Sequence, residues 1–457
     1  WLKKIERKKK QEPYENRDKI KANLHKLPLE KQGGRWMPLN RISVIGIGKL
    51  GLCTAACFSS KGYQVIGVDV NRATIDAVNS GRSPIYEPGL GELIAKCQGR
   101  LSATDDYNYA IENSEVTFIV VPTPSEGDGG FSTKYVEAAV QNIARALKDK
   151  DSFHTVVVTS TVLPGVTEGV IKPLLEQISG KKCSVDFGLC YNPEFIALGS
   201  VIRDFTNPDM VLIGESDPRA GEILAEIHRI TCNNQPYIAR MSIDNAELAK
   251  ISLNAYVTMK ISFANTLAEL CEHIPGGNVD LVTKALGADL RIGAKYLCGA
   301  VSYGGPCFPR DNKAFLSFSQ KLGCRARLSQ ATDAVNKDQA ARIAHLVEQE
   351  FGEVKGINIA ILGLTYKPGT DVIEASAPVE MAKVLLDQGA KVMVYDPAGM
   401  ENARKLLDGS IIYANSIDEC LCGADLCILA TPWPEFKKLK PEDFANRMKN
   451  PALLDCW

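Results

Sequence analysis

The sequence predicts an α/β protein: two doubly wound domains, each built on a mostly parallel sheet, joined by a long central helix. Three observations carry that prediction. Short β-branched runs, each leading to a glycine turn, an acid or a threonine, alternate with helical segments through residues 42–195, the pattern of βαβ units. The same order returns after residue 357. Between the halves, residues 244–273 contain neither proline nor glycine, and apolar positions recur every three or four residues. At 457 residues the chain exceeds one ordinary core and calls for two or three domains. With 45% hydrophobic and 23% charged residues it reads as a soluble globular protein. A net charge of −1 argues against a nucleic-acid-binding body. No apolar run approaches the roughly 18 residues of a membrane span, and the start shows no secretory signal pattern. The fourteen cysteines include no C-x-x-C pair. That argues against zinc or a disulfide scaffold and for a reducing cytoplasm.

The first strand, Ile42 to Ile45, runs into Gly46-Ile47-Gly48-Lys49-Leu50-Gly51 and then a helix. Strand, glycine turn and helix in that order give an otherwise weak fingerprint its meaning: a Rossmann-like dinucleotide turn. Gly46 allows the tight turn, Gly48 lets backbone approach a pyrophosphate, and Gly51 lets helix pack on strand. The helix start, Lys49 and Leu50 included, turns backbone N–H groups toward the phosphates. The next strand ends at Asp69, which would accept from ribose hydroxyls and repel a 2′-phosphate, so the expected cofactor is NAD. The runs Val116–Val121 and Thr155–Thr159 lead to Thr123 and to Ser160 and Thr161. These lie at the carboxyl ends of strands, where doubly wound sheets bind ligands, although such hydroxyls also serve as helix caps. Tyr191-Asn192-Pro193-Glu194-Phe195 then puts the Glu194 carboxylate in a proline-stiffened turn, with a site role and a structural role both open.

A helix over residues 244–273 would span roughly 45 Å, suited to a strut between domains. Lys250 and Asn254 share one of its faces and interrupt an apolar band. Either they serve a site, or Lys250 snorkels to water. Further on stands Gly304-Gly305-Pro306-Cys307-Phe308-Pro309-Arg310-Asp311. A thiol on so stiff a loop is a candidate nucleophile, or else one more small buried residue. The second half then echoes the first. Ile357–Leu362 meets Gly363, Lys391–Tyr395 meets Asp396, and Leu426–Ala430 meets Thr431-Pro432. The echo lacks a complete fingerprint, so it reads as a second Rossmann-like domain that does not take NAD, with a cleft between the two for a small molecule. Residues 1–41 hold thirteen Lys and Arg against five Asp and Glu. That is a solvated extension, or a basic arm toward an acidic partner or membrane surface.

Seven motifs stand in order: Gly46–Gly51, Pro84–Leu90 (Pro-Ile-Tyr-Glu-Pro-Gly-Leu), Ser160-Thr161-Val162 with Pro164, and Asn192–Phe195, then Glu247–Asn254, Gly304–Asp311, and Lys367-Pro368 with Thr370-Asp371. Together they resemble the UDP-glucose/GDP-mannose dehydrogenase family from about Arg41 to the end. The resemblance implies four segments: a basic N-terminal extension (1–40), an NAD-binding domain (41–240), a central helical dimerisation domain with the cysteine loop (241–345), and a nucleotide-sugar-binding α/β domain (346–457). It implies oxidation of the C6 hydroxyl of a nucleotide sugar to a carboxylate with two NAD and one water. UDP-glucose is the first substrate expected, with UDP-N-acetyl-hexosamines and GDP-mannose as alternatives. In that family's terms Cys307 is the nucleophile, and Lys250 and Asn254 stabilise oxygen at C6. Asp311 and Thr161 help position or activate water, and Glu194 works in acid/base chemistry. Phe195, Tyr303, Gly304 and Lys367 would contact substrate, and Arg291 would reach a neighbouring subunit's substrate in a homodimer or larger oligomer. No metal is implied.

The residue types suit that chemistry. A thiolate adds to an aldehyde to give a thiohemiacetal, a second oxidation leaves a thioester, and water releases the acid. Lys250 as ammonium would stabilise developing alkoxide and lower the pKa of a nearby thiol. The chain departs from the family pattern in three places: Ile196-Ala197-Leu198-Gly199 where a carboxylate is usual, Val372-Ile373-Glu374 where Arg-Glu is usual, and Pro306 where serine is usual. Two other readings stay open: a two-electron hydroxyacid dehydrogenase that needs no thiol, and a non-catalytic NAD or nucleotide-sugar binder.

Overall fold

Eight strands make the first sheet: β1 (Arg41–Ile45), β2 (Gln64–Val68), β3 (Leu101–Thr104), β4 (Val116–Ile119), β5 (His154–Val158), β6 (Phe187–Tyr191), β7 (Met210–Glu215) and β8 (Tyr237–Met241). Their spatial order is β8-β7-β6-β5-β4-β1-β2-β3. All neighbours run parallel except β6 and β7. The β-branched runs explain this. Every residue of β4 and β5 is buried, as strands covered by helices on both faces require. The order reverses between β1 and β4, and a crevice opens there at the strand carboxyl ends. Helix α1 (Lys49–Ser60) leaves β1 across that crevice and is buried from Gly51 to Ser59.

The computed structural model describes residues 31–32, 35–36 and 40–457, except 98 and 408. The expected basic arm over residues 1–40 therefore falls almost wholly outside the described residues. Lys31–Gln32 and Arg35–Trp36 pair antiparallel. Residues Arg41–Trp457 pack as a separate single unit.

Helix α2 (Ile243–Glu272) runs for 30 residues and corrects the expectation in one respect. Half of its twelve buried residues are polar or charged, namely Glu247, Lys250, Asn254, Thr258, Ser262 and Asn265, whereas Tyr256, Phe263 and Leu270 of the expected apolar band stand more than half exposed. Helices α3 (Phe308–Lys321) and α4 (Arg327–Phe351) pack on α2 and lead into the second sheet.

That sheet is all parallel: β9 (Asn358–Leu362), β10 (Lys391–Tyr395), β11 (Ile412–Tyr413), β12 (Leu426–Leu429) and β13 (Ala452–Asp455), in the order β11-β10-β9-β12-β13. The fold class is thus the one expected: two Rossmann-like doubly wound sheets and a long central helix. The two echoing acids differ in their surroundings. Asp396 is buried, and its Oδ2 accepts from Leu364 N, Thr365 N, Thr365 Oγ1 and Trp433 Nε1 at 2.7–3.1 Å. Its Oδ1 accepts from Ala398 N and Gly399 N. Six donors fill a carboxylate's acceptor capacity, so this acid has little left for a ribose.

Candidate active site

One cavity of about 930 Å³ runs from the β1–α1 glycine turn, past the ends of β4, β5 and β6, to the cysteine loop and the turn after β9. At its cofactor end, Gly46, Gly48, Lys49, Leu50, Gly51, Asp69, Thr123, Ser160 and Thr161 all line it. Asp69 accepts from Ile47 N at 3.0 Å and from Asn71 N at 2.9 Å. It pins the turn while keeping lone pairs free, unlike Asp396. No side chain caps α1, so its first N–H groups face the cavity as an anion site. The three glycines separate by role. A Cβ on Gly51 would sit 1.9 Å from Gly46 O, and one on Gly46 2.7 Å from Val120 O, but one on Gly48 would meet nothing within 4 Å. The room at Gly48 is the cradle a pyrophosphate would fill. Ser160 is neither cap nor free hydroxyl: its Oγ accepts from Val121 N at 3.0 Å and donates to Val121 O at 2.7 Å. Lys49 extends its side chain to Asp371 Oδ1 of the second half, 2.8 Å away, so that its ammonium is engaged with protein rather than left for a ligand.

At the other end, the buried face of α2 holds the site together. Lys250 Nζ donates to the main-chain oxygen of Glu194 at 2.5 Å and lies 4.7 Å from the Phe195 ring centre. Asn254 donates to Asp311 Oδ2 at 2.6 Å, and the Arg310 guanidinium reaches Asp311 Oδ1 at 2.9 Å. Cys307 is the N-cap residue immediately before α3, and its carbonyl accepts from Asp311 N at 2.8 Å. The sequence suggested a loop thiol; the structure puts it at a helix N-terminus, where the dipole favours a thiolate. The loop glycines serve a close approach to protein. Gly305 N donates to Glu374 O, and a Cβ on Gly304 would lie 2.2 Å from Ala375 O.

Burial sets the proton inventory here. Cys307 opens onto the cavity, yet protein crowds its other sides. That crowding raises its pKa above the ordinary thiol value, with Arg310 lowering it, Asp311 raising it and Lys250 lowering it. Lys250 thus lowers the thiol as expected, but desolvation outweighs it and Arg310 together. Burial also raises Glu194 to about 7 against the pull of Lys250. The same burial lowers Lys250, with Asp311 and Cys307 opposing.

Phe195, Gly304 and Lys367 line the cavity as expected. Tyr303 does not. It is buried behind the loop, its backbone clasped by Asn336 at 2.7 and 3.1 Å and its ring edge-on to Phe308. Arg291 also stands away from its own chain's cavity, exposed and paired with Asp289 at 2.6 Å. Among the described residues no group of three or more His, Cys, Asp or Glu could hold a metal, and no helix is long and apolar enough to cross a membrane. The sequence reading gave no role to Glu87, Tyr366 or Asp371. Glu87 accepts from Gly199 N and Val201 N at 2.9 Å and fixes the wall after Phe195. Its place in a motif was the only signal.

Residues 40–232 match the NAD binding domain of the UDP-glucose/GDP-mannose dehydrogenase family, 244–338 its central domain and 360–457 its UDP binding domain. The chain belongs to that family. It is accordingly an NAD-dependent oxidoreductase of nucleotide sugars. Among its relatives, a UDP-glucose 6-dehydrogenase of Haloferax volcanii is 38% identical over 91% of this chain and 96% of its own. A GDP-mannose 6-dehydrogenase of Azotobacter vinelandii is 34% identical over 87% and 93%. The solved UDP-glucose dehydrogenase of Pyrobaculum islandicum superposes with a TM-score of 0.84 at 34% identity, covering 94% of this chain and all of that one.

The glycine roles are separable by experiment. Gly48→Ala is expected to keep the melting temperature and weaken NAD binding about tenfold, about 1.4 kcal/mol. Gly51→Ala is expected to lower stability by about 1–3 kcal/mol through overpacking. Calorimetric titration and thermal melts of both variants check this.

Proposed function

We propose that this chain oxidises the C6 hydroxyl of UDP-glucose to the carboxylate, through intermediates held on Cys307. The observation that carries the reading is an accessible thiol at the start of α3, in the same cavity as the dinucleotide turn, with Lys250 and the Asn254–Asp311 pair beside it. Bound NAD supplies the hydride acceptor for each of the two oxidations. Lys250 would stabilise oxygen charge at C6, as preorganised charge does in a dry site. Cys307 would add to the aldehyde and hold the carbon as thiohemiacetal and then thioester. Asp311, fixed by Asn254 and Arg310, and Thr161 would place the water that releases the acid. Phe195, Gly304 and Lys367 would frame the sugar nucleotide. Overall, alcohol and one water become carboxylate, two hydrides and three protons. The 38% identity to two UDP-glucose 6-dehydrogenases, against 34% to a GDP-mannose 6-dehydrogenase, favours UDP-glucose.

Outside the site, Tyr256, Phe263 and Leu270 make an exposed apolar stripe at seven-residue intervals along α2. A second copy of the chain is the cover we propose, with Arg291 reaching across. Sedimentation should then show a dimer or larger oligomer, and a fully active monomer would rule it out. The fourteen cysteines are all unpaired, which fits a reducing cytoplasm.

Two NADH are expected per UDP-glucose consumed, followed by absorbance, with UDP-N-acetyl-hexosamines and GDP-mannose poorer by tenfold or more on the order of pocket discrimination. A ratio of one, or full activity in Cys307→Ala, would defeat the four-electron mechanism and favour the hydroxyacid reading.

Glu194 makes activity pH-dependent. As a base it must be ionised, so kcat/KM should rise with a midpoint at about 7, and Glu194→Gln should be slower and flat across that range. The stability sign is opposite. Burial favours the neutral acid, so its contribution is fully present below the ordinary value of 4.5 and is lost as pH rises through about 7. Glu194→Gln should therefore melt higher than the parent chain at pH 8 and no higher at pH 4.

A further inference from the structure

We propose that Glu247 is a positioning residue for the reaction, holding Thr161 in register with Lys250 and Asn254. The assignment rests on the Cys307 chemistry proposed above. Glu247 has no exposed surface, and its two oxygens meet main-chain amides rather than a cation: Gly165 N at 2.7 Å and Thr167 N at 2.9 Å. A carboxylate buried with no cation beside it is expensive to keep, and burial raises its carboxyl to about 7 even though Thr167 and the two amides pull it down. A leucine or alanine would suit an ordinary helix core better, so the position calls for a task.

The geometry supplies one. The segment from Ser160 to Thr167 follows β5 and carries Thr161 on the cavity wall. Its first end is tied by the Ser160 hydroxyl to both backbone groups of Val121. Its last end is held by Glu247. Between them Val162 is fully buried and Pro164 is stiff, which leaves little slack for Thr161 to shift. On α2, Glu247 stands three residues before Lys250 and seven before Asn254, all on one stripe. The same rigid rod therefore grips three pieces of the site: the Thr161 segment through Glu247, the Glu194 turn through Lys250, and the cysteine helix through Asn254. Lys250 and Asn254 also line the cavity. Glu247 is absent from its wall, so it acts through the segment it holds.

The test uses the full chain with Glu247→Gln, which keeps the size but turns one amide-facing oxygen into a donor. Amide hydrogen exchange over residues 160–168 should quicken about tenfold while residues 304–311 keep their rate. Turnover with UDP-glucose and NAD should fall about tenfold in kcat, with both KM values within about twofold, as a misplaced group predicts. Glu247→Asp keeps the charge and should recover part of both, and it gives the same two readings if the glutamine variant does not fold. Unchanged exchange would show that Glu247 is not the anchor. Faster exchange with unchanged kcat, or a kcat loss that merely follows the fraction unfolded, would reduce Glu247 to a cap and overturn the proposal. A parent chain that forms no NADH from any nucleotide sugar would instead overturn the reaction, while the exchange result still judges the anchor.

Discussion

The polar stripe of α2 is the constraint on which the site depends. Nothing in helix propensity asks for glutamate, lysine and asparagine on the buried face of a thirty-residue helix, and each would be unfavourable there without a partner. Each has one, and each partner belongs to a different piece of the cavity wall. The helix is stiff over a length that no loop could match, so the distances among those pieces are set by its own 1.5 Å rise. This also accounts for the inverted exterior. With one face committed to polar contacts, large apolar side chains remain for the opposite face, where Tyr256, Phe263 and Leu270 project.

The two sheets show how one topology separates into two tasks. Both place an acid after the second strand and a glycine turn after the first. Asp69 accepts two amides and remains on a cavity wall. Asp396 accepts six donors, including the indole of Trp433, and is sealed. A residue type at a strand end therefore says where ligands can bind in such a fold, while its donors decide whether one does. The second sheet's domain is tied to the first through Lys49 and Asp371, and to the central segment through the Gly304–Gly305 backbone against residues 374–375.

What was legible in the sequence was local. The glycine turn, Asp69, the long helix and the echo of the first half are patterns of neighbouring residues, and the structure carries them almost to the residue. Lys250 and Asn254 were legible as anomalies, because a charge inside an apolar band needs a reason. Glu247 was not, since its partners lie about eighty positions away in sequence and no spacing announces them. Glu87 and Asp371 are similar cases. Tyr303 shows the reverse error: a residue beside a motif shares its position in the chain without sharing its cavity. Nor could spacing show the burial that raises the Cys307 thiol even though Lys250 lowers it. Counting nearby cations is possible from a sequence, but counting the protein atoms that exclude water is not.

Desolvation, finally, acts in one direction on three of the ionisable groups that line the cavity. It raises Cys307 and Glu194 and lowers Lys250, so each is pushed toward its neutral form. Charges that appear during reaction must therefore be stabilised by one another and by fixed dipoles rather than by water. The N-terminus of α3, Arg310 and Lys250 all favour negative charge at Cys307, while Asp311 opposes it. Burial and Asp311 thus favour the thiol, while the helix N-terminus and the two cations favour the thiolate, and the balance between them is set by how much water the cavity admits.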